Sequence, residues 1–141
     1  MTIAKRFGVG LIGALLGIGG VARAEAAGAW IAESRLPDIH REGVVYRSPW
    51  LTPRPTTPLA GQALTRVSWR YGYDRPKPIA TIARLCTAKR CIDASANRAA
   101  SKAFAGQPIK TPFRLLLKIP RDRRLKRPLR AGRIHLIVNF E

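Results

Sequence analysis

The sequence predicts an all-β fold, an antiparallel β-sandwich of about seven short strands preceded by a helical signal peptide that is cleaved. Three observations carry that expectation. No long amphipathic helical pattern follows residue 24. Alternation of period two recurs in short runs, most clearly from Leu64 to Tyr73. Clusters rich in proline, glycine and small polar residues separate those runs, as turns between strands require.

The amino-terminal segment, Met1 to Ala24, has the three parts of a secretory signal in order. Lys5 and Arg6 make a positive start, Phe7 to Val21 is an unbroken run of apolar residues and glycine, and Ala22-Arg23-Ala24 places small residues where signal peptidase reads them. A membrane anchor is the rival reading. The run of 15 residues would span only about 22 Å as a helix, short of the ~30 Å hydrocarbon core. Six of those residues are glycine, which weakens a spanning helix further. Cleavage after Ala24, with Ala27 as the alternative, leaves residues 25–141, or 141 − 24 = 117 residues, as a single domain.

Gly28 to Ser34 is the first expected strand, with Trp30 as its large residue, and Val44 to Arg47 the second, ended by Pro49. Pro53, Pro55 and Pro58 mark the segment from Leu51 to Gly61 as a loop. From Leu64 to Tyr73, Thr65, Val67, Trp69 and Tyr71 share one face and Arg66, Ser68 and Arg70 the other, so the aromatic face is the buried one. Ile79 to Cys86 and Cys91 to Ala94 flank four residues, which predicts a hairpin with Cys86 opposite Cys91. Ala94 to Ala105, polar and alanine-rich, reads as a helical turn or a loop. Phe113, Leu115, Leu117 and Ile119 alternate again, and Ile134, Leu136, Val138 and Phe140 make a closing strand with His135 and Asn139 on its other face.

The cysteines fit an exported chain. An even count favours a disulfide between Cys86 and Cys91. Zinc needs four ligands at close spacing, and the only histidines, His40 and His135, are far away in sequence. A redox pair of the thioredoxin type has two residues between its cysteines, not four. Nothing assembles into an enzyme either: the histidines read as a loop residue and a strand residue, the 8 acids are scattered, and no phosphate-binding glycine loop follows the signal. The sequence therefore predicts no catalytic residue, no metal, no cofactor and no small-molecule substrate.

Charge is the strongest compositional signal. The formal net charge is +18, and loss of Lys5, Arg6 and Arg23 with the signal leaves 23 basic against 8 acidic residues, or +15. Such a charge describes partners rather than fold. It suits an acidic surface such as an anionic envelope polymer, or it reflects arginines spread over solvated faces. Nucleic acid is not indicated, since no nucleic-acid-binding motif is present. The connection from Arg121 to Arg133 concentrates the basic residues, and Arg123, Arg124 and Arg127 are its candidate contact residues, whether as an arm for anionic surfaces or as a solvated loop. Trp30, Trp69 and Tyr71 suit a sandwich core, with an exposed recognition patch as the alternative.

Several motifs stand together in order along the chain. They are Gly28-Ala29-Trp30, Val67-Ser68-Trp69-Arg70-Tyr71, Pro76-Lys77-Pro78, the hairpin Arg84-Leu85-Cys86-Thr87-Ala88-Lys89-Arg90-Cys91, Phe113-Arg114, and the terminal Ile137-Val138-Asn139-Phe140. With them the chain resembles the flagellar protein FlhE family, from Gly28 to its end. The resemblance implies a β-sandwich and a periplasmic accessory protein of the bacterial flagellum, tied to the flagellar type III export apparatus or basal body and to limiting proton leakage through it. A chaperone for flagellar rod or hook subunits is the other role it implies. No enzyme activity or cofactor comes with it. Asn139 joins Trp30, Trp69 and Tyr71 as signature residues, for interaction or for the core.

Overall fold

Eight strands form among the described residues: β1 (Gly28–Arg35), β2 (Val45–Arg47), β3 (Leu64–Tyr73), β4 (Ile82–Cys86), β5 (Cys91–Asp93), β6 (Arg98–Ser101), β7 (Arg114–Lys118) and β8 (Ala131–Phe140). The structure, a computed structural model, describes residues 27–55, 59, 61 and 63–141. The expected signal peptide, 1–24, and parts of the proline-rich loop fall outside the described residues.

The strands make two antiparallel sheets of four, ordered β1-β8-β3-β6 and β2-β7-β4-β5. This is the two-layer sandwich that the alternation predicts, since each sheet has one apolar face to bury against the other. In the first sheet the inward positions are in register: Trp30 pairs with Val138, which pairs with Val67, and Leu136 pairs with both Ala32 and Trp69. In the second, Leu85 pairs with Leu115, and Ala83 and Tyr46 both pair with Leu117. Between the layers these residues are joined by Phe104 and Phe113, whose rings meet edge to face with centroids 5.1 Å apart.

Two features of β3 depart from the simple alternation. The register with β8 slips between Leu64 and Arg66, so Leu64 is buried with Val67, Trp69 and Tyr71 while Thr65 is only half-buried. Thr65 therefore does not belong to the aromatic face to which the alternation assigns it. A second irregularity lies between Tyr71 and Tyr73, where the backbones of Gly72 and Gly132 come together. A Cβ on Gly132 would lie 2.7 Å from the Gly72 carbonyl oxygen, so only glycine fits there.

The segment from Ala94 to Ala105 is not a helical turn. It contains β6, paired with β3 from Val67 to Arg70, and ends in turns that bury Phe104. Its sequence has little β propensity because β6 is a short edge strand shaped by the template beside it. The fourth strand also begins later than expected. Thr81 N–H donates to the Pro78 carbonyl in a turn, which delays pairing until Ile82.

Candidate functional site

The signature aromatics lie in the core. Trp30, Trp69 and Tyr71 are each at most 5% exposed, and each polar atom is satisfied by a backbone carbonyl. Trp30 Nε1 donates to Ile109 O at 2.7 Å, Trp69 Nε1 to Ala96 O at 3.0 Å and Tyr71 Oη to Ala94 O at 2.7 Å. These bonds tie the loops around β5, β6 and β7 to the long sheet. Burial pushes the Tyr71 hydroxyl well above the usual phenol range. Cys86 and Cys91 pair across β4 and β5 as a disulfide with Cα atoms 4.0 Å apart.

His40 and His135 remain far from one another in role. His40 is exposed, and its backbone N–H donates to Tyr46 Oη at 3.1 Å. On the outer face of β8, His135 Nδ1 lies 2.7 Å from Glu33 Oε1. Among the described residues no group of three or more His, Cys, Asp or Glu is placed to hold a metal. No helix among them is long and apolar enough to cross a membrane.

Residues 121–130 are held in place by the acids around them. Asp38 Oδ1 accepts the Ala131 N–H at 2.7 Å, Asp74 Oδ1 the Arg130 N–H at 3.1 Å, and a Glu42 carboxylate oxygen the Leu125 N–H. The Arg75 guanidinium donates to the carbonyls of Pro128 and Arg127. The bonded backbone N–H holds the Asp38 carboxyl below its ordinary range despite some desolvation, and the Leu125 N–H does the same for Glu42. Arg123, Arg124 and Arg127 therefore project into solvent from an anchored loop.

A different surface combines apolar and charged groups. On the outer face of the first sheet, cross-strand register sets the side chains in rows. Ile31, Ile137, Ser68 and Ala100 form one row across all four strands. Glu33, His135, Arg70 and Arg98 form the row on one side, and Ala29, Asn139 and Arg66 the row on the other. Short side chains flanked by long ones leave a trough of about 600 Å³. Ile31 is 58% and Ile137 40% exposed, an adjacent apolar pair left to solvent. Glu33 is already engaged by His135 and lies 3.7 Å from Arg133.

Asn139 is the only signature residue on this face, half-buried beside Arg66. Arg66, Ser68 and Arg70 have an outward phase that is legible in the sequence. Their company with Ile31, Ile137, Glu33 and Arg98 is not, because it depends on β1, β8 and β6 lying beside β3.

The sequence model of the family described as "Flagellar protein FlhE" matches residues 37–141. The chain belongs to the FlhE family. It is 31% identical over 119 residues to the flagellar protein FlhE of Escherichia coli K12, covering 84% of this chain and 88% of that one. To the FlhE of Salmonella typhimurium LT2 it is 30% identical over 118 residues, with the same coverage. A solved crystal structure of FlhE superimposes with a TM-score of 0.74 at 30% identity, covering 82% of this chain and 97% of the other. The sandwich, its hairpin and its terminal strand are thus an FlhE fold, and the chain is a flagellar accessory protein.

Proposed function

We propose that this FlhE-family chain acts in the periplasm by non-catalytic protein binding, docking on the flagellar export apparatus or basal body to regulate type III export and limit proton leak through it. In this reading residues 1–24 are removed as a signal peptide and 25–141 fold as the working domain. Family membership over nearly the whole sandwich is the observation that carries the proposal. A rigid sandwich that presents one sheet face suits binding rather than chemistry.

Deleting the gene should impair motility, alter secretion of filament subunits and acidify or de-energise cells during export, and the full-length gene should restore all three. Unchanged motility, secretion and pH homeostasis in the deletion strain would remove the proposal. Mass spectrometry of the periplasmic protein should find an amino terminus at Glu25, and an intact precursor retained in the cytosol would contradict export. A chaperone role for rod or hook subunits predicts instead that those subunits co-purify from periplasm.

The anchored, exposed arginines favour a second reading, a cationic module for envelope polymers. Binding to purified lipopolysaccharide would then fall steeply with salt and disappear on reversal of Arg123, Arg124 and Arg127.

A further inference from the structure

The trough on the outer face of the β1-β8-β3-β6 sheet carries an exposed aliphatic pair, with Glu33 and His135 beside it, at one end and arginines at the other. Ile31 and Ile137 lie on β1 and β8, and Arg66, Arg70 and Arg98 on β3 and β6. Among the described residues none of those three arginines is in an ion pair. Glu33, the acid that shares a row with Arg70 and Arg98, is held by His135.

The opposite sheet exposes Val45 and Ile82 on either side of Lys118, but the recess they line is only about 150 Å³. There Arg84 faces Asp93, the Arg114 guanidinium stacks 4.3 Å from the Trp50 ring centre, and Cys86 is covered. The anchored loop carries arginines without an apolar floor beside them. The trough sets unpaired positive charge beside exposed aliphatic surface in the larger of the two recesses, and that combination is complementary to an acidic chain carrying an aliphatic anchor.

Strand spacing sets the length of such a chain. Four strands span about 14 Å, room for about four or five extended residues, and the isoleucine pair lies about 10 Å from the centre of the arginines, or about three residues. We propose that this face is a docking trough for an extended acidic segment of a partner protein, with an aliphatic side chain seated on Ile31 and Ile137. Carboxylates about three residues further along lie between Arg66, Arg70 and Arg98. The trough rests on the protein-binding reading above and specifies its site and partner chemistry.

The test uses the full chain, produced with its own leader, purified oxidised and ¹⁵N-labelled. It is titrated with the capped peptide Ala-Leu-Ala-Ala-Asp-Glu-Ala. Amide shifts should concentrate on β1, β8, β3 and β6 and weaken with salt. Ile137→Asp, and separately Arg70→Glu with Arg98→Glu, should weaken binding by about tenfold or more while the folded spectrum is kept. Val45→Ser and Ile82→Ser on the opposite sheet should leave binding unchanged. Replacing the peptide leucine by alanine should also weaken it.

Shifts centred on Arg123 to Arg127, equal binding of the leucine-free peptide or of polyphosphate, or no shifts at all would each overturn the trough. A deletion phenotype without peptide binding overturns the trough and leaves the flagellar function standing. Peptide binding in a protein whose deletion has no flagellar phenotype does the reverse.

Discussion

The strands of the β1-β8-β3-β6 sheet run eight, ten, ten and four residues, whereas those of β2-β7-β4-β5 run three, five, five and three. Long strands supply their own ladder and a continuous apolar inner face. The short sheet is completed by other means. The Ser48 hydroxyl accepts the Leu115 N–H at 2.9 Å, and Thr87 Oγ1 accepts the N–H groups of Lys89 and Arg90 in the hairpin turn. The disulfide closes the same hairpin. Loss of one ladder position is a small fraction of a ten-residue strand and a large fraction of a three-residue one, so these side-chain and covalent ties count for most where the ladder is shortest. The outer faces differ in the room they leave: Val45, Ile82 and Lys118 of the short sheet line a recess of about 150 Å³, and the long sheet holds a charged trough of about 600 Å³.

The largest test of this contrast is Trp69→Ala. It empties a core position shared by both layers and strips the hydrogen bond to Ala96. A loss of about 3–5 kcal/mol is expected in urea unfolding, with amide exchange accelerated in both sheets together. Faster exchange confined to the long sheet would show that the layers are energetically separate.

Replacing Cys86 and Cys91 together by serine should be milder. The closed loop is short, with a sequence separation of 5, so chain entropy predicts a loss of about 2 kcal/mol. Exchange should rise first in β4 and β5 and leave β3 and β8 nearly unchanged. Equal loss of protection across both sheets would contradict the division of labour drawn above.

The smallest effect concerns the loop that joins the layers. The folded-state pKa values of Asp38 and Glu42 are held below their ordinary values of 3.8 and 4.5, because each carboxylate accepts a backbone N–H. A depressed carboxyl pKa adds stability that is complete above the ordinary value and disappears as pH falls through the folded one. The urea midpoint should therefore hold above about pH 5 and drop as pH falls through the lowered folded-state values, and Asp38→Asn, which keeps an acceptor but cannot titrate, should shallow that drop. An unchanged slope in the variant would dissociate the loop anchor from acid stability.

Much of the fold is legible along the chain because alternation reports burial directly. Leu64 to Tyr73 has the same bounds in sequence and structure, and the Cys86–Cys91 hairpin closes as its spacing predicts. What escapes is set by neighbours. Arg98 to Ser101 contains no residue with strong strand preference and becomes β6 only because β3 offers an open edge. Thr65 leaves the aromatic face because a bulge against β8 lets Leu64 take the buried place. The basic connection reads as a charge run, while the carboxylates that hold its backbone come from positions tens of residues earlier.

By itself the sequence determined the two-layer β architecture, the inward aromatics, the disulfide and the positive charge, since each depends on residue type and short-range period. Tertiary structure alone decided which outward side chains meet. Ile31, Ile137 and Ser68 lie far apart along the chain and become one row through register, and register is fixed by packing of the opposite face. The trough is therefore a consequence of how the core aligns β1, β8 and β3, with no local motif to announce it.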